Sequence, residues 1–234
     1  MYKKIFLALD VDLKSALQIS KELKDHIYGL KIGTLFNQIG TQGLKEFDAM
    51  NIPLFIDQKW SDIPSTVARH IENFKNFKNI EFMTIHSLSS SSRVMMKEAV
   101  KAAKNINNKI KIMAVTIPTS TDTTENLKEI GIHNSLKDQV KKLVMLSHEC
   151  GVHGVISSGQ NIKMIRSLVG PDFYIITPGI RSDDQKGKDD QKNTISYSEF
   201  DKIAKNDNKT FCVIGRPIYQ SENYLENLKN IIKQ

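Results

Sequence analysis

The 234-residue chain is poor in cysteine and has no long apolar run. Its two cysteines, Cys150 and Cys212, form no C-x-x-C motif, so neither a disulfide framework nor a thiolate metal site is predicted. No apolar run approaches the ~20 residues that a transmembrane helix needs. Residues 5–9 are apolar and follow two lysines, but Asp10 ends this run below the roughly 7 to 15 residues of a secretory signal. We therefore expect a cytoplasmic protein with no membrane partner.

Motifs for common metal and nucleotide sites are also missing, because the sequence has no H-E-x-x-H, no paired histidines and no P-loop. The net charge of +7 would suit nucleic acid, but the lysines are scattered among acidic residues and aromatics make up only 7% of the chain. No nucleic-acid partner is therefore predicted. Arginine is scarce, and Arg181 and Arg216 both lie in glycine-containing turns. Scarce arginine in such turns indicates bidentate binding of an anion.

Short apolar runs alternate with longer helical patterns along the chain. The spacing of apolar residues in 13–24 and 137–149 predicts amphipathic helices. The strand candidates are 4–9, 28–33, 53–57, 80–86, 110–116, 153–157, 173–177 and 211–214. Such alternation is typical of a parallel sheet, and this number of units in a chain of this length predicts an α/β fold closed into a (β/α)8 TIM barrel. We expect residues 1–234 to form this single domain.

Polar residues collect at the predicted carboxyl ends of these strands, where barrel enzymes carry their chemistry. The most informative segment is 54–64. It is an apolar strand that ends with Asp57 and Lys59, shortly before Asp62. Residues i and i+2 of a strand share a face, so Asp57 and Lys59 are predicted to lie together, with Asp62 in the turn before a helix. An ammonium among carboxylates is costly to desolvate, which favours a functional site over an accident.

The segment 57–66 reads D-x-K-x-x-D-I-P-x-T and resembles the hallmark of the orotidine 5'-phosphate decarboxylase family. Further blocks resemble that family's other motifs in the same order: Ala8-Leu9-Asp10, Leu30-Lys31-Ile32-Gly33, Val115-Thr116, Thr119-Ser120, Thr177-Pro178-Gly179-Ile180-Arg181 and Ile214-Gly215-Arg216-Pro217-Ile218. The resemblance covers essentially the whole chain. It implies decarboxylation of orotidine 5'-monophosphate to uridine 5'-monophosphate, the last step of de novo pyrimidine biosynthesis, with no metal and no cofactor.

The resemblance also implies roles for the charged residues. Lys59 would protonate the C6 carbanion that remains when carbon dioxide leaves, and Asp57 and Asp62 would keep its ammonium charged. Lys31 would extend these groups into an alternating charge array. Asp62 would enter the active site of a neighbouring subunit and Thr66 would also reach across the interface, so the resemblance implies a homodimer with shared sites.

A second set of residues resembles the family's nucleotide-binding groups. They are Asp10 and Lys31 for the ribose, Thr119 for the pyrimidine edge and, for the phosphate and the turns beside it, Pro178, Arg181, Gln191, Gly215 and Arg216. The assignment of Gln191 stays open, because Gln185 stands in a similar tripeptide. The set agrees with the anion-binding interpretation of the two arginines.

Two other functions remain open at this point. A related Mg²⁺-dependent sugar-phosphate decarboxylase or aldolase would share D-x-K-x-x-D, but such relatives place a metal-binding glutamate where this chain has Lys31. An ammonium repels the cation that a carboxylate would hold. A non-catalytic phosphate- or nucleic-acid-binding barrel would need basic residues clustered with exposed aromatics. Lys31 and the segment 178–181 favour the metal-free nucleotide enzyme.

Overall fold

The computed structural model describes residues 2–121, 123–181, 193–220 and 223–233, which fold around a closed parallel barrel. The barrel strands are β1 Tyr2–Ala8, β2 Ile27–Ile32, β3 Leu54–Trp60, β4 Ile80–His86, β5 Lys111–Val115, β6 Gly154–Ile156, β7 Tyr174–Thr177 and β10 Thr210–Ile214. Two short strands, β8 Ile180–Arg181 and β9 Ile195–Ser196, pair with each other in a separate sheet. Around the barrel the order is β1, β10, β7, β6, β5, β4, β3, β2. The predicted (β/α)8 barrel is confirmed.

Helices connect the strands and pack on the outside of the barrel. They are α1 Leu13–Leu23, α2 Thr34–Asp48, α3 Pro64–Glu72, α4 Ser92–Ile106, α5 Thr124–Lys128, α6 Leu136–Glu149, α7 Ile162–Val169, α8 Tyr197–Ala204, α9 Arg216–Tyr219 and α10 Tyr224–Lys233. The Asp12 carboxylate accepts a hydrogen bond from the backbone N–H of Ser15 at 3.1 Å, which satisfies one of the unpaired donors at the start of α1. In the described ranges, no helix is long and apolar enough to cross a membrane.

Aromatic side chains fill the amino-terminal half of the barrel interior. Phe6, Phe55, Phe82 and Phe211 come from four strands and are at most 5% exposed. Their rings are tilted or edge-to-face, with centroids 5.5 to 6.2 Å apart, and such pairs stabilise a core beyond the area they bury. This layer fills the barrel below the carboxyl ends of its strands, where polar side chains begin.

Two features of the sheets differ from the predicted strands. β3 continues to Trp60 instead of ending at residue 57, and its pairing with β4 is irregular between Ile56 and Trp60. The sequence pattern does not predict β8 and β9, because a pair of two-residue strands leaves no alternation to detect. Both features lie at the mouth of the barrel.

Candidate active site

A cavity of about 290 Å³ opens at the carboxyl ends of the barrel strands. The predicted site residues that line it are Asp10, Lys31, Asp57, Lys59, Thr119, Pro178, Arg181, Gly215 and Arg216. They meet because the parallel strands of a closed barrel all end on the same rim. Apolar side chains complete the wall, among them Phe55, Val115 and Ile156. An apolar cleft with a few convergent polar groups is typical of a small-molecule site.

Four charged side chains form a continuous array in this cavity. Lys31 Nζ lies 3.9 Å from Asp10 Oδ1 and 3.3 Å from Asp57 Oδ2. Lys59 Nζ lies 2.8 Å from the same Asp57 oxygen. The charges therefore alternate in the order Asp10, Lys31, Asp57, Lys59. Among the residues that the structure describes, no group of three or more His, Cys, Asp or Glu side chains is placed to hold a metal ion.

Asp57 is the most deeply buried member of the array. Its side chain is 9% exposed, against 47% for Lys59. Burial alone would raise the pKa of the Asp57 carboxyl. The charges of Lys31 and Lys59 oppose burial, as do hydrogen bonds from Lys59 and Thr84, and they hold that pKa below its ordinary value. Asp57 is therefore a carboxylate at neutral pH and offers its negative charge to both lysines.

The backbone of Lys59 is left-handed, with a φ of 52°. A non-glycine residue in this region costs about 1 to 3 kcal/mol and persists only where its surroundings hold it. It occurs where the pairing of β3 with β4 becomes irregular. The backbone N–H of Lys59 donates to the Thr84 hydroxyl at 2.9 Å. Thr84 therefore supports a strained backbone at the residue that carries the accessible ammonium.

Asp62 and Thr66 lie away from the cavity. Asp62 is exposed, and its Oδ1 accepts a hydrogen bond from the backbone N–H of Ile63 at 2.6 Å. Within the described part of the chain, no lysine or arginine nitrogen lies within 4.0 Å of its carboxylate. The Thr66 hydroxyl accepts a hydrogen bond from Arg69 Nη2 at 3.1 Å. In a single chain, Lys59 thus forms an ion pair with Asp57 and none with Asp62.

Two arginines border the cavity near the ends of β7 and β10. Arg181 is 6% exposed, and its Nη1 donates to the carbonyl of Ile180 at 2.9 Å. Arg216 begins α9 directly after Gly215. A Cβ at Gly215 would lie 3.1 Å from the Cβ of Ala8, so glycine allows this turn to approach β1 closely. Two guanidinium groups beside a glycine turn supply donors that suit a phosphate.

Gln191 and its alternative Gln185 lie outside the described residues. The choice between them stays a prediction.

Sequence reasoning missed several polar residues beside the array. The Thr34 hydroxyl donates to Asp10 Oδ1 at 3.0 Å, and the Thr84 hydroxyl donates to Asp57 Oδ1 at 3.0 Å. Ser157 also lines the cavity. One signal could have found Thr84, since it is a polar residue inside an otherwise apolar stretch of strand. Thr34 and Ser157 have no comparable signal, because short hydroxyl residues are common in turns.

His86 ends β4 beside the cavity. Its Nδ1 accepts a hydrogen bond from the backbone N–H of Leu88 at 3.2 Å. Burial, and after it the positive charge of Lys59, lowers the pKa of His86. The ring is therefore neutral at pH 7, and its geometry is that of a structural histidine that holds the start of the following loop.

Comparison with known proteins identifies close relatives over the full length of the chain. A sequence model of the orotidine 5'-phosphate decarboxylase / HUMPS family matches residues 3–231. The chain is 38% identical over 231 residues to an orotidine 5'-phosphate decarboxylase of Wolbachia pipientis subsp. Culex pipiens, with 98% of this chain and 97% of that protein covered. It is 34% identical over 236 residues to an orotidine 5'-phosphate decarboxylase of Legionella pneumophila, with 100% and 99% covered.

Solved structures share the same architecture. The orotidine 5'-phosphate decarboxylase of Lactobacillus acidophilus has a TM-score of 0.81 at 25% identity, with 99% of this chain and 98% of that chain covered. The orotidine 5'-monophosphate decarboxylase of Methanocaldococcus jannaschii, crystallised with the inhibitor BMP, has a TM-score of 0.73 at 23% identity, with 100% of both chains covered. The second likeness concerns the fold alone.

Proposed function

The chain belongs to the orotidine 5'-phosphate decarboxylase / HUMPS family, and from that premise we propose that Lys59 is the proton donor in its reaction. The reaction is the decarboxylation of orotidine 5'-monophosphate to uridine 5'-monophosphate in pyrimidine biosynthesis, so the protein is a carboxy-lyase. One observation carries the assignment of Lys59. Its Nζ lies 2.8 Å from the buried Asp57 carboxylate in a cavity at the mouth of the barrel.

The chemistry requires a cation at the reacting carbon. The bond between C6 and the carboxylate breaks, carbon dioxide leaves, and the electron pair stays on C6. A carbanion with little delocalisation must be stabilised by charge that is already in place. The Lys59 ammonium supplies that charge and then transfers a proton to C6, which forms the C6–H bond of the product. Solvent returns a proton to Lys59.

The rest of the array prepares this cation. Asp57 accepts from Lys59 and lies 3.3 Å from Lys31 Nζ, so both lysines are oriented before substrate arrives. Preorganised groups of this kind need no rearrangement during the reaction. We propose that these side chains supply the charge that the reaction needs and that no metal and no cofactor takes part.

Binding of the nucleotide is proposed to use the cavity wall in three parts. Asp10 and Lys31 bind the ribose hydroxyls and Thr119 reads the pyrimidine edge. Arg181 and Arg216, with the turns at Pro178 and Gly215, bind the phosphate, and all of these residues line the same cavity. Gln191, outside the described ranges, is proposed to bridge phosphate and base. Phosphate contacts far from C6 would let remote binding energy contribute to the chemical step.

We propose that the active unit is a homodimer in which Asp62 and Thr66 serve the partner's site. Three features support this. Asp62 is exposed and has no ion pair within the described part of its own chain. Ile63, the next residue, is 61% exposed. An exposed carboxylate without an ion pair in its own chain is available to a partner subunit in a symmetric dimer.

The two cysteines support a proposed cytoplasmic location. Cys150 and Cys212 are both free and buried. Unpaired thiols are usual in a reducing compartment, which is also where a nucleotide-synthesising enzyme meets its substrate.

The magnesium-dependent alternative is disfavoured by the position of Lys31. Its ammonium lies between the carboxylates of Asp10 and Asp57, at 3.9 and 3.3 Å. The place where two carboxylates could share a divalent cation is thus taken by a positive side chain. Carboxylate oxygens that already balance ammonium groups make poor ligands for a hard cation.

The decisive experiment incubates chelator-treated protein with orotidine 5'-monophosphate and follows the loss of its ultraviolet absorbance. We expect turnover without added metal and no gain from added Mg²⁺. A Lys59→Ala sample purified in the same way shows whether the activity belongs to this site or to a contaminant. Absence of turnover above background in the unaltered protein would reject the function.

A further inference from the structure

The Thr84 side chain is a polar group in the interior of the barrel. It is 0% exposed and lies on the same face of β4 as Phe82 and His86. It therefore sits between the aromatic layer and the cavity. A buried hydroxyl needs hydrogen-bond partners, and both partners of Thr84 belong to β3.

The hydroxyl connects two of the four residues in the array, Asp57 and Lys59. It donates to Asp57 Oδ1 at 3.0 Å and accepts from the backbone N–H of Lys59 at 2.9 Å. The other oxygen of Asp57, Oδ2, faces the ammonium groups of Lys59 and Lys31 at 2.8 and 3.3 Å. The carboxylate is thus held from both sides, with one oxygen fixed by Thr84 and the other presented to the cations.

Loss of the Thr84 hydroxyl would change the orientation of the Asp57 carboxylate and the Lys59 ammonium more than it would change their charges. The carboxylate torsion of an aspartate is broad and roughly two-fold, so without Thr84 the Asp57 plane is free to turn away from the lysines. The N–H of Lys59 would also lose its partner at a residue whose φ is 52°. A left-handed backbone without that support would relax, and the ammonium would shift relative to the substrate.

We propose that Thr84 is a positioning residue for proton transfer, because its hydroxyl fixes both the plane of Asp57 and the backbone of Lys59. This inference rests on the proposed role of Lys59. The competing explanation is that Thr84 only satisfies buried polar groups and stabilises the barrel. The two explanations differ in what happens to kcat in a variant that still folds.

The test compares Thr84→Val, which keeps the shape and removes the hydroxyl, with Thr84→Ser, which keeps the hydroxyl. Thr210→Val is the matched control, because Thr210 is also 0% exposed and its hydroxyl also donates to an aspartate, Asp207, at 2.6 Å. Thr210 begins β10 at the opposite end of the barrel. Steady-state kinetics with orotidine 5'-monophosphate and thermal unfolding are measured for each protein.

We expect Thr84→Val to lower kcat by about 10- to 100-fold, since small misplacements of catalytic groups have effects of this size, while KM stays within about threefold. The hydrogen bond from Thr84 helps to lower the pKa of Asp57. Without it that pKa should rise, so the acid limb of the pH profile of kcat should move to higher pH in Thr84→Val. Thr84→Ser should restore kcat to within about threefold of the unaltered protein. Thr210→Val should lower the unfolding temperature with kcat unchanged.

A folded Thr84→Val protein with normal kcat and an unshifted acid limb would overturn the inference, as would equal kcat losses in Thr84→Val and Thr210→Val. If Thr84→Val does not fold, Thr84→Cys replaces it, because a thiol is a weak donor and acceptor. A normal kcat in Thr84→Cys would also overturn the inference. An inactive unaltered protein would contradict the proposed function itself. An active protein whose kcat does not depend on the Thr84 hydroxyl would contradict only this inference.

Discussion

Lys59 and Asp57 differ in exposure, and the difference determines what each can do. The Lys59 side chain is 47% exposed and that of Asp57 only 9%. Attraction between them is therefore partly screened by water while the cavity is empty. A nucleotide that fills the cavity would displace this water, and the same ion pair would then act in a lower dielectric. Substrate binding itself would strengthen the electrostatics that the reaction uses.

Replacement of Lys59 tests the proton donor directly. Lys59→Ala should lower kcat by on the order of 10²- to 10⁴-fold, the range that positioned proton donors contribute. Uridine 5'-monophosphate should still bind, because the proposed ribose and phosphate contacts remain, and titration calorimetry measures that binding. Lys101→Ala, on the exposed face of α4, is the matched control and should leave both quantities unchanged. A near-normal rate in Lys59→Ala would assign the proton donor elsewhere.

His86 should make stability depend on pH. Burial and then the charge of Lys59 lower its pKa in the folded state, whereas the unfolded value is about 6.5. The unfolded chain therefore binds more protons in this window, and His86 contributes stability above about pH 6.5 that is lost as the pH falls toward its folded pKa.

Urea unfolding between about pH 7.5 and pH 5.5 measures this effect. His86→Asn keeps an acceptor for the N–H of Leu88 but cannot gain the proton, so its stability should fall less steeply with pH than that of the unaltered protein. The exposed His133 provides the control, and His133→Asn should keep the original slope. Equal slopes in all three proteins would show that His86 is protonated equally in both states.

At the scale of elements, sequence patterns predicted those features that depend on local residues. Each barrel strand matches an apolar run, and the helices at 13–24 and 137–149 correspond to α1 and α6. The irregular end of β3 could not be predicted, because the left-handed Lys59 is supported by Thr84 on another strand. The pairing of β8 with β9 likewise depends on tertiary contact between segments with no pattern of their own.

The start of α8 anchors one of these unpredicted strands. The Ser196 hydroxyl accepts from the backbone N–H of Glu199 at 3.2 Å, and the Glu199 carboxylate accepts from the backbone N–H of Ser196 at 2.7 Å. This is a capping box. Ser196 also belongs to β9, whose pairing places it beside Arg181. The cap therefore stabilises the strand pair next to the proposed phosphate site.

Ser196→Ala should lower the free energy of unfolding by about 1 kcal/mol, the usual cost of losing a cap. Chemical denaturation measures this loss. Ser167→Ala is the control, because the exposed Ser167 hydroxyl donates back to the carbonyl of Met164 within α7 at 2.7 Å, a contact that does not favour helices. A loss for Ser196→Ala no larger than for Ser167→Ala would mean that the box contributes nothing in solution.

Across the whole molecule, the aromatic core and the charge array lie at opposite ends of the barrel interior. The aromatic layer from Phe6 to Phe211 fills the amino-terminal half, and the charge array lies at the carboxyl ends of the strands. The predicted barrel fold alone indicated which rim would hold the polar residues. The identities of the site residues came from family resemblance, since neither composition nor spacing distinguishes a ribose-binding Asp10 from a helix cap. The proposed role of Asp62 requires a second subunit, which no single-chain pattern describes.

The proposed exchange of Asp62 between subunits predicts recovery of activity from two impaired proteins. Lys59→Ala and Asp62→Ala should each be nearly inactive alone. In a mixed dimer, one site takes Lys59 from the Asp62→Ala subunit and Asp62 from the Lys59→Ala subunit, so that site is intact. The other site lacks both groups. Random reassortment of equal amounts should therefore restore about one quarter of the unaltered activity.

A second mixture separates shared sites from simple stabilisation by a partner. Asp57 and Lys59 contact each other within one chain at 2.8 Å, so a mixed dimer of Lys59→Ala and Asp57→Ala contains no intact site and should recover nothing. Sedimentation of the unaltered protein measures the dimer independently. If both mixtures stay inactive although mixed dimers form, Asp62 does not act in the partner's cavity. Equal recovery in both mixtures would instead show that pairing rescues the variants without any exchange of residues.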